Sequence, residues 1–505
     1  MSLKASPAGA DVVGVRRVAA APLAQPVPLV GRLVRWCERE APVIAAVGLF
    51  VGVVAAALPQ AIVQDSWLTL VGGREIAEHG LPHVNLLTLW SYGAKWVDQQ
   101  WLAQLFFYRL AALGGLKLVL IAHALGLTLA VIAAVVAARR FGGSSKSVAA
   151  VAVVSLFMAP WGLQMRAQSL APLLFVAVVW LLVADAREPS RRVFWALPVL
   201  ALWANVHGTV VLAAALVVLR GLLRLREPGR AVKAEGVALV LAAPLCCLAS
   251  PYGFGLVGYY RSLLANPQMA AHVNEWAATT LSLTTALFFL GLAAVVALLA
   301  RHRSSVTSFE ALVLVVTGLA GLNAIRSIVW FSYACVIVCP RLLDRALPAW
   351  QQAPVRAATA RATAAVGLAA VLIATGLVVS RPPSWFERAW PADALAAAQS
   401  AASDPHVKVF ADDRYADWLL WKDPALRGRV AYDVRFELFT PSQFRQLIEY
   451  DAQTVGAARL DRGYTLFAFD PTTDGRAIAT TLGRPGARRL FGDARLVLIE
   501  TEGRA

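Results

Sequence analysis

"IVQDSWLTLVGGREIAEHGLPH", residues 62–83, decides how this chain is read. It follows directly on an apolar run at 42–62, so its first acid, Asp65, stands about where that run leaves a membrane. Carboxylates at such a depth are costly and mark a function or a partner. The run itself is one of many. The chain has 505 residues, is 58% hydrophobic and only 15% charged, and has a mean hydropathy of +0.61. Soluble domains are more charged and less apolar than this. Apolar runs at 42–62, 116–138, 147–161, 169–185, 193–207, 209–225, 235–250, 280–300, 308–323, 327–340 and 362–380 predict an α-helical polytopic membrane protein of about 11 transmembrane helices.

The formal charge of +16 invites a nucleic-acid reading, which its distribution excludes. From Arg381 onward there are 17 Lys/Arg against 17 Asp/Glu, so the excess, 30 basic against 14 acidic, lies in residues 1–380. There it falls in short loops: Arg139, Arg140 and Lys146; Arg187, Arg191 and Arg192; Arg220 to Lys233; Arg301 and Arg303; Arg341 to Arg361. With the N-terminus inside, every cluster falls on the cytoplasmic side, as topology signals do. The alternation closes on eleven spans and an extracytoplasmic C-terminus. Residues 1–41, basic and rich in Ala and Pro, read as a disordered cytoplasmic tail, and 42–380 as the transmembrane domain.

WLAQLFFYRLAALGG (101–115) is short and carries Arg109, so it reads as a helix in the outer interface or leaning into the bundle. Residues 63–115 then form one large external loop, whose Trp67, Trp90, Trp96 and Trp101 are expected at headgroup level. A second external loop, 251–279, contains Asn274-Glu275-Trp276. Residues 381–505 are globular in composition. Strands are expected at 407–411, 428–433 and 464–470, helices at 416–421 and 441–451, and a closing hairpin around Gly492-Asp493. That alternation predicts a three-layer α/β domain. The five cysteines (Cys37, Cys246, Cys247, Cys335, Cys339) form no metal-type pair and read as small hydrophobes.

Topology sorts the membrane-domain acids: only Asp65, Glu75, Glu78, Asp98 and Glu275 face outward. Glu75 and Glu78 read as the solvated face of a short helix, and Asp98 as the N-cap of the interfacial one. Asp65 could cap a helix starting at Trp67, yet of the five it is least explained by such a role. Arg166, in the outer turn WGLQMRAQ, and Arg326, in GLNAIRS, stand against the positive-inside trend. Each could snorkel to lipid phosphates or bind a phosphorylated lipid, since a guanidinium grips phosphate through a planar fork. Asn205 and His207, in LWANVHGT, share that outer mouth. No HExxH or Cys/His zinc spacing points to a metal.

Taken in order, DSWLTLVGGREIAEHGLPH, WVDQQWLAQL, QMRAQ, WANVHG, SPYG and NEW resemble the GT-C superfamily of membrane glycosyltransferases. More closely, they resemble bacterial relatives of protein O-mannosyltransferases and lipid A aminoarabinose transferases. The resemblance covers about residues 42–345. It implies a polyprenyl-phosphate-sugar donor, an acceptor among cell-envelope glycans, lipids or proteins, Asp65 as general base and Arg166 or Arg326 on the donor phosphate. Asp98, Asn205, His207, Glu275 and Trp276 complete the expected substrate-binding set. Many superfamily members carry two neighbouring acids where Gln64-Asp65-Ser66 offers one, so a divalent metal is compatible but not indicated. A second reading fits the same sequence: a catalytically silent scaffold, or a protein that binds or translocates lipid-linked glycans.

Overall fold

The structure, a computed structural model, describes residues 29–264, 274–451 and 460–502. Residues 1–28 of the expected tail lie outside it. Residues 29–41 do not continue that tail: they are the first turns of α1 (Leu29–Ala57), which runs through Pro42. Their basic residues, at positions 32, 35 and 39, are spaced so that Leu29, Val30, Leu33 and Val34 keep the helix pattern.

Each of the eleven apolar runs is a helix. After α1 and the loop helix α2 (Gln64–His79) come α3 (Trp101–Arg140), α4 (Ser145–Leu156), α5 (Ala171–Arg187), α6 (Ala196–Trp203), α7 (Val210–Arg224), α8 (Arg230–Cys246) and the loop helix α9 (Gly255–Leu264). The bundle is completed by α10 (Ala286–His302), α11 (Ser308–Asn323), α12 (Ile328–Ala346) and α13 (Ala357–Ser380). Among the described residues, six helices are long and apolar enough to cross a membrane. The first and last spans pack closely at Gly48 and Gly367: a Cβ on Gly48 would overlap the Gly367 backbone, and one on Gly367 the backbone of Ile44 and Ala45. In α3 the helical backbone breaks at Gly114–Gly115, with Gly115 at φ 65°, where the sequence reading ends the interfacial helix.

The C-terminal region holds a four-stranded sheet in the order β1-β2-β4-β3, formed by β1 (Val409–Ala411), β2 (Leu466–Phe469), β3 (Arg488–Gly492) and β4 (Val497–Glu500). β1 and β2 are parallel, and β3 and β4 form the expected antiparallel hairpin. Alternate strand residues feed two cores. Phe410, Phe467, Phe469 and Ile499 face Leu447 and Ala477 of the helices Pro441–Asp451 and Gly475–Leu482. Val409, Ala411, Leu466, Ala468 and Leu498 belong instead to one continuous cluster with Trp418 and the membrane helices.

The expected strand 428–433 is reduced to single bridges, because its backbone serves two partners. Val409 N–H donates to Arg429 and Ala431 N–H to Val409, while Leu89 and Trp90 N–H donate to Val430 and Ala431. The long loop after α1 is thereby laid along the C-terminal domain. This overturns the headgroup placement of its tryptophans. Trp67 is fully buried against Trp390, with ring centroids 5.2 Å apart, and Trp90 stacks on Tyr432 at 4.6 Å. Trp96 lies under the Arg435 guanidinium, and Trp101 donates to Asn205. Nor is Glu75 on a solvated face: it is 8% exposed and takes a forked pair from Arg427, with Nε at 3.0 Å and Nη2 at 2.5 Å. Glu78 is exposed as expected.

Because Trp67 joins α2 to the C-terminal domain, Trp67→Ala opens a cavity in a shared core and costs about 3–5 kcal/mol. Thermal unfolding of the purified protein in detergent checks this. A lowered midpoint with earlier proteolytic release of the segment after Arg381 is the expected outcome.

Candidate functional site

Asp65 is positioned by a backbone tie between two distant segments. Met165 N–H donates to Ala61 C=O at 2.8 Å, and Ile62 bridges Met165. Ser66 Oγ accepts from Val63 N–H and donates to Met165 C=O. Thr69 Oγ1, which donates to Asp65 C=O, accepts from Ala167 N–H. Asp65 is therefore not the helix cap that the sequence left open as an alternative. α2 starts at Gln64 after Val63, so Asp65 lies in its first turn, where the helix dipole favours a carboxylate.

The same tie sets Arg166 beside it. Arg166 Nη1 is 3.2 Å from Asp65 Oδ2 and donates to Glu275 Oε2 at 2.6 Å; Nη2 contacts Glu275 Oε1 and donates to Gln164 at 2.5 Å. Arg326 reaches the site from the outer turn before α12. Ile325 N–H donates to Ala277 and Thr279 N–H to Leu322, which brings Trp276 under the Arg326 guanidinium, 4.3 Å from ring centroid to Cζ. Among the described residues, no carboxylate lies within ion-pair distance of Arg326.

These groups surround one cavity of about 720 Å³ between one end of the helix bundle and the C-terminal domain. Asp65, Arg166, His207, Glu275, Trp276 and Arg326, all singled out in the sequence, line it. Val211, Leu212 and Ala215 of α7 give it an apolar side. Asp65 and Glu275 side chains are each 38% exposed, and that exposure is to this cavity. Burial deep in the protein raises the Asp65 pKa above the usual carboxylate value, against the pull of Arg166, while Glu275 adds to the rise and Arg326 opposes it. His207 Nδ1 lies 3.0 Å from Thr209 Oγ1 and 3.3 Å from the Thr209 N.

Two expected site residues are absent from the lining. Asn205 is a clip: its Oδ1 accepts from Trp101 Nε1 at 2.8 Å and its Nδ2 donates to Ala249 C=O at 2.7 Å, joining α3, α6 and the turn after α8. Asp98 is 1% exposed, behind Gln99 and Gln100, which do line the cavity. It is not the N-cap either, a position held by Gln100. Burial pushes Asp98 up to about 7, with the Gln100 backbone N–H and Arg435 opposing. Conversely, sequence reasoning missed the roof. Tyr432, Arg435, Phe436 and Glu437 come from the C-terminal domain, and no topological rule places a residue of a soluble domain over a membrane site. Among the described residues, no three His, Cys, Asp or Glu side chains gather as a metal site.

No family model and no curated protein matches the sequence. Solved structures do. ArnT from Cupriavidus metallidurans aligns over 90% of this chain and 97% of its own at 16% identity. Its TM-score is 0.52 in the apo state and 0.50 bound to undecaprenyl phosphate. The archaeal oligosaccharyltransferase AglB from Archaeoglobus fulgidus, in complex with an inhibitory peptide and a dolichol-phosphate, aligns over 87% of this chain and 71% of its own. There the identity is 12% and the TM-score 0.51. Both are GT-C glycosyltransferases. The chain is thus a polytopic membrane protein of GT-C fold, as its motifs implied, and the likeness is one of fold.

Arg166 is the cation that lets Asp65 and Glu275 face each other. In Arg166→Gln the two carboxyls lose it and share a proton at pH 7. Difference infrared spectroscopy of the purified protein then gains a protonated-carboxyl band, and adding Asp65→Asn removes it.

Proposed function

We propose that the protein is a membrane glycosyltransferase that moves a sugar from a polyprenyl-phosphate donor to a cell-envelope acceptor at the outer face. In this reading the N-terminus is cytoplasmic and the C-terminal domain extracytoplasmic, with the loops rich in Lys and Arg inside. The observation that carries it is the meeting of Asp65 with Arg326 and Arg166 in one cavity that also has an apolar side. The polyprenyl phosphates bound by ArnT and AglB agree with such a donor.

Polyprenyl phosphate is already a good leaving group, so the chemistry asks for a base, a phosphate clamp and a site closed to bulk water. Asp65 accepts the proton of the acceptor hydroxyl as its oxygen bonds to the sugar's anomeric carbon. The bond from that carbon to the phosphate oxygen breaks, and its electron pair stays on the phosphate. Arg326, which has no carboxylate partner among the described residues, takes that charge. Arg166 is committed to Asp65 and Glu275, so its part is to hold the base in place and ionised. Trp276 fixes the plane of the Arg326 fork.

A general base contributes roughly 10²–10⁴-fold. Asp65→Asn, isosteric and unable to take the proton, is expected to lose transfer by about that factor while the protein still folds, with Arg166 kept paired by Glu275. Mass analysis of cell-envelope glycans and glycoproteins, from cells with and without the gene and with this variant, checks it. Full product from Asp65→Asn would reduce Asp65 to a structural acid. Because burial raises the Asp65 pKa, activity should fall as pH drops through that value, with the ionised form at higher pH the active one.

A further inference from the structure

The roof of the cavity carries a carboxyl that the transfer chemistry above does not use. Glu437 sits in the turn Phe436–Leu438 of the C-terminal domain and lines the cavity. Among the described residues no other side chain hydrogen-bonds to it or pairs with it. Of the charged groups around it, Asp433 holds Arg435 through its Nε and Nη2, and Asp65 and Glu275 share Arg166. A carboxyl set deep in a protein without a cation is costly unless something else arrives to satisfy it.

Its surroundings say what that is. A carboxylate here repels a phosphate, so the donor headgroup belongs on the Arg326 side and the roof faces the acceptor. The Phe436 ring, partly exposed, lines the cavity on the same turn. Carboxylate oxygens that accept from hydroxyls, beside aromatic faces that take the apolar C–H side of a ring, suit a sugar. We propose that Glu437 with Phe436 forms the acceptor subsite, and that the acceptor is a saccharide, held through a hydroxyl next to the one that reacts. This rests on the transferase reading and narrows its acceptor to glycans.

The ionisation of Glu437 makes the subsite sensitive to pH. Burial pushes its pKa up to about 7; its own backbone N–H and Arg435 oppose the rise, while Asp433 and, from α2, Asp65 add to it. Asp98 of the first loop and Tyr259 of α9 also face it. Below about pH 7 the carboxylate that accepts the sugar's hydroxyl is replaced by the acid, so acceptor affinity falls.

Full-length protein added to membranes from cells lacking the gene tests this, the membranes supplying donor and acceptor and mass spectrometry reading the product. Varying the amount of membrane gives an apparent KM. Glu437→Gln should raise it about tenfold or more, with kcat within about twofold and the weakening below pH 7 abolished. Glu437→Asp, shorter by one methylene, should fall between. A wild-type melting temperature for Glu437→Gln shows that folding is intact. Unchanged KM and pH dependence in Glu437→Gln, or product sugar found on protein side chains, overturns the subsite while Asp65→Asn inactivity leaves the transferase standing. Undiminished transfer by Asp65→Asn, or none by the wild type, overturns both.

Discussion

One guanidinium between two carboxylates organises the outer half of this molecule. Arg166 is 17% exposed and touches Asp65, 65 residues into the chain, and Glu275, far along it. Two acids brought together in a low-dielectric site would repel, and one would protonate. The arginine removes that conflict and pulls three segments to one point: the start of α2, the turn before α5 and the loop before α10. Breaking a fully buried pair of this kind costs about 3–5 kcal/mol; here it costs less, since both acids keep 38% exposure. The value of the contact lies in geometry. It fixes one Asp65 oxygen, while Arg326, on Trp276, lines the same cavity with no described carboxylate within ion-pair distance.

The C-terminal domain depends on the same arrangement. Its sheet shares a core with the membrane helices, and its Arg427 and Arg435 grip Glu75 and Asn85 of the first loop. Those contacts bring the turn bearing Glu437 over the cavity. The domain is thereby a wall of the site: Arg166, Arg326 and apolar α7 side chains line it on the membrane side, and Arg435, Phe436 and Glu437 on the other.

Much of this was legible in the sequence. The eleven apolar runs became helices because a segment in lipid must satisfy its own backbone, a local requirement that composition reveals. Asp65, Arg166 and Arg326 could be grouped because topology gives each its side and depth. What failed depends on contacts between distant segments. Glu75 is buried by Arg427, 352 residues away, and the loop tryptophans by the same domain. Asn205 looked free for substrate because its partners, Trp101 and Ala249, belong to other turns. The strand at 428–433 was lost to a competition for its backbone that only the folded loop creates. Glu437 carried no signal, since an acid in a soluble stretch is ordinarily solvated.

The central claim is that a lipid phosphate lies against Arg326, across the cavity from Asp65. An experimental structure of the full-length protein with undecaprenyl phosphate tests it most directly. The account predicts the phosphate within hydrogen-bond distance of the Arg326 guanidinium, with Arg166 still on Asp65 and Glu275. A headgroup bound outside this cavity, with Arg326 empty, would contradict it.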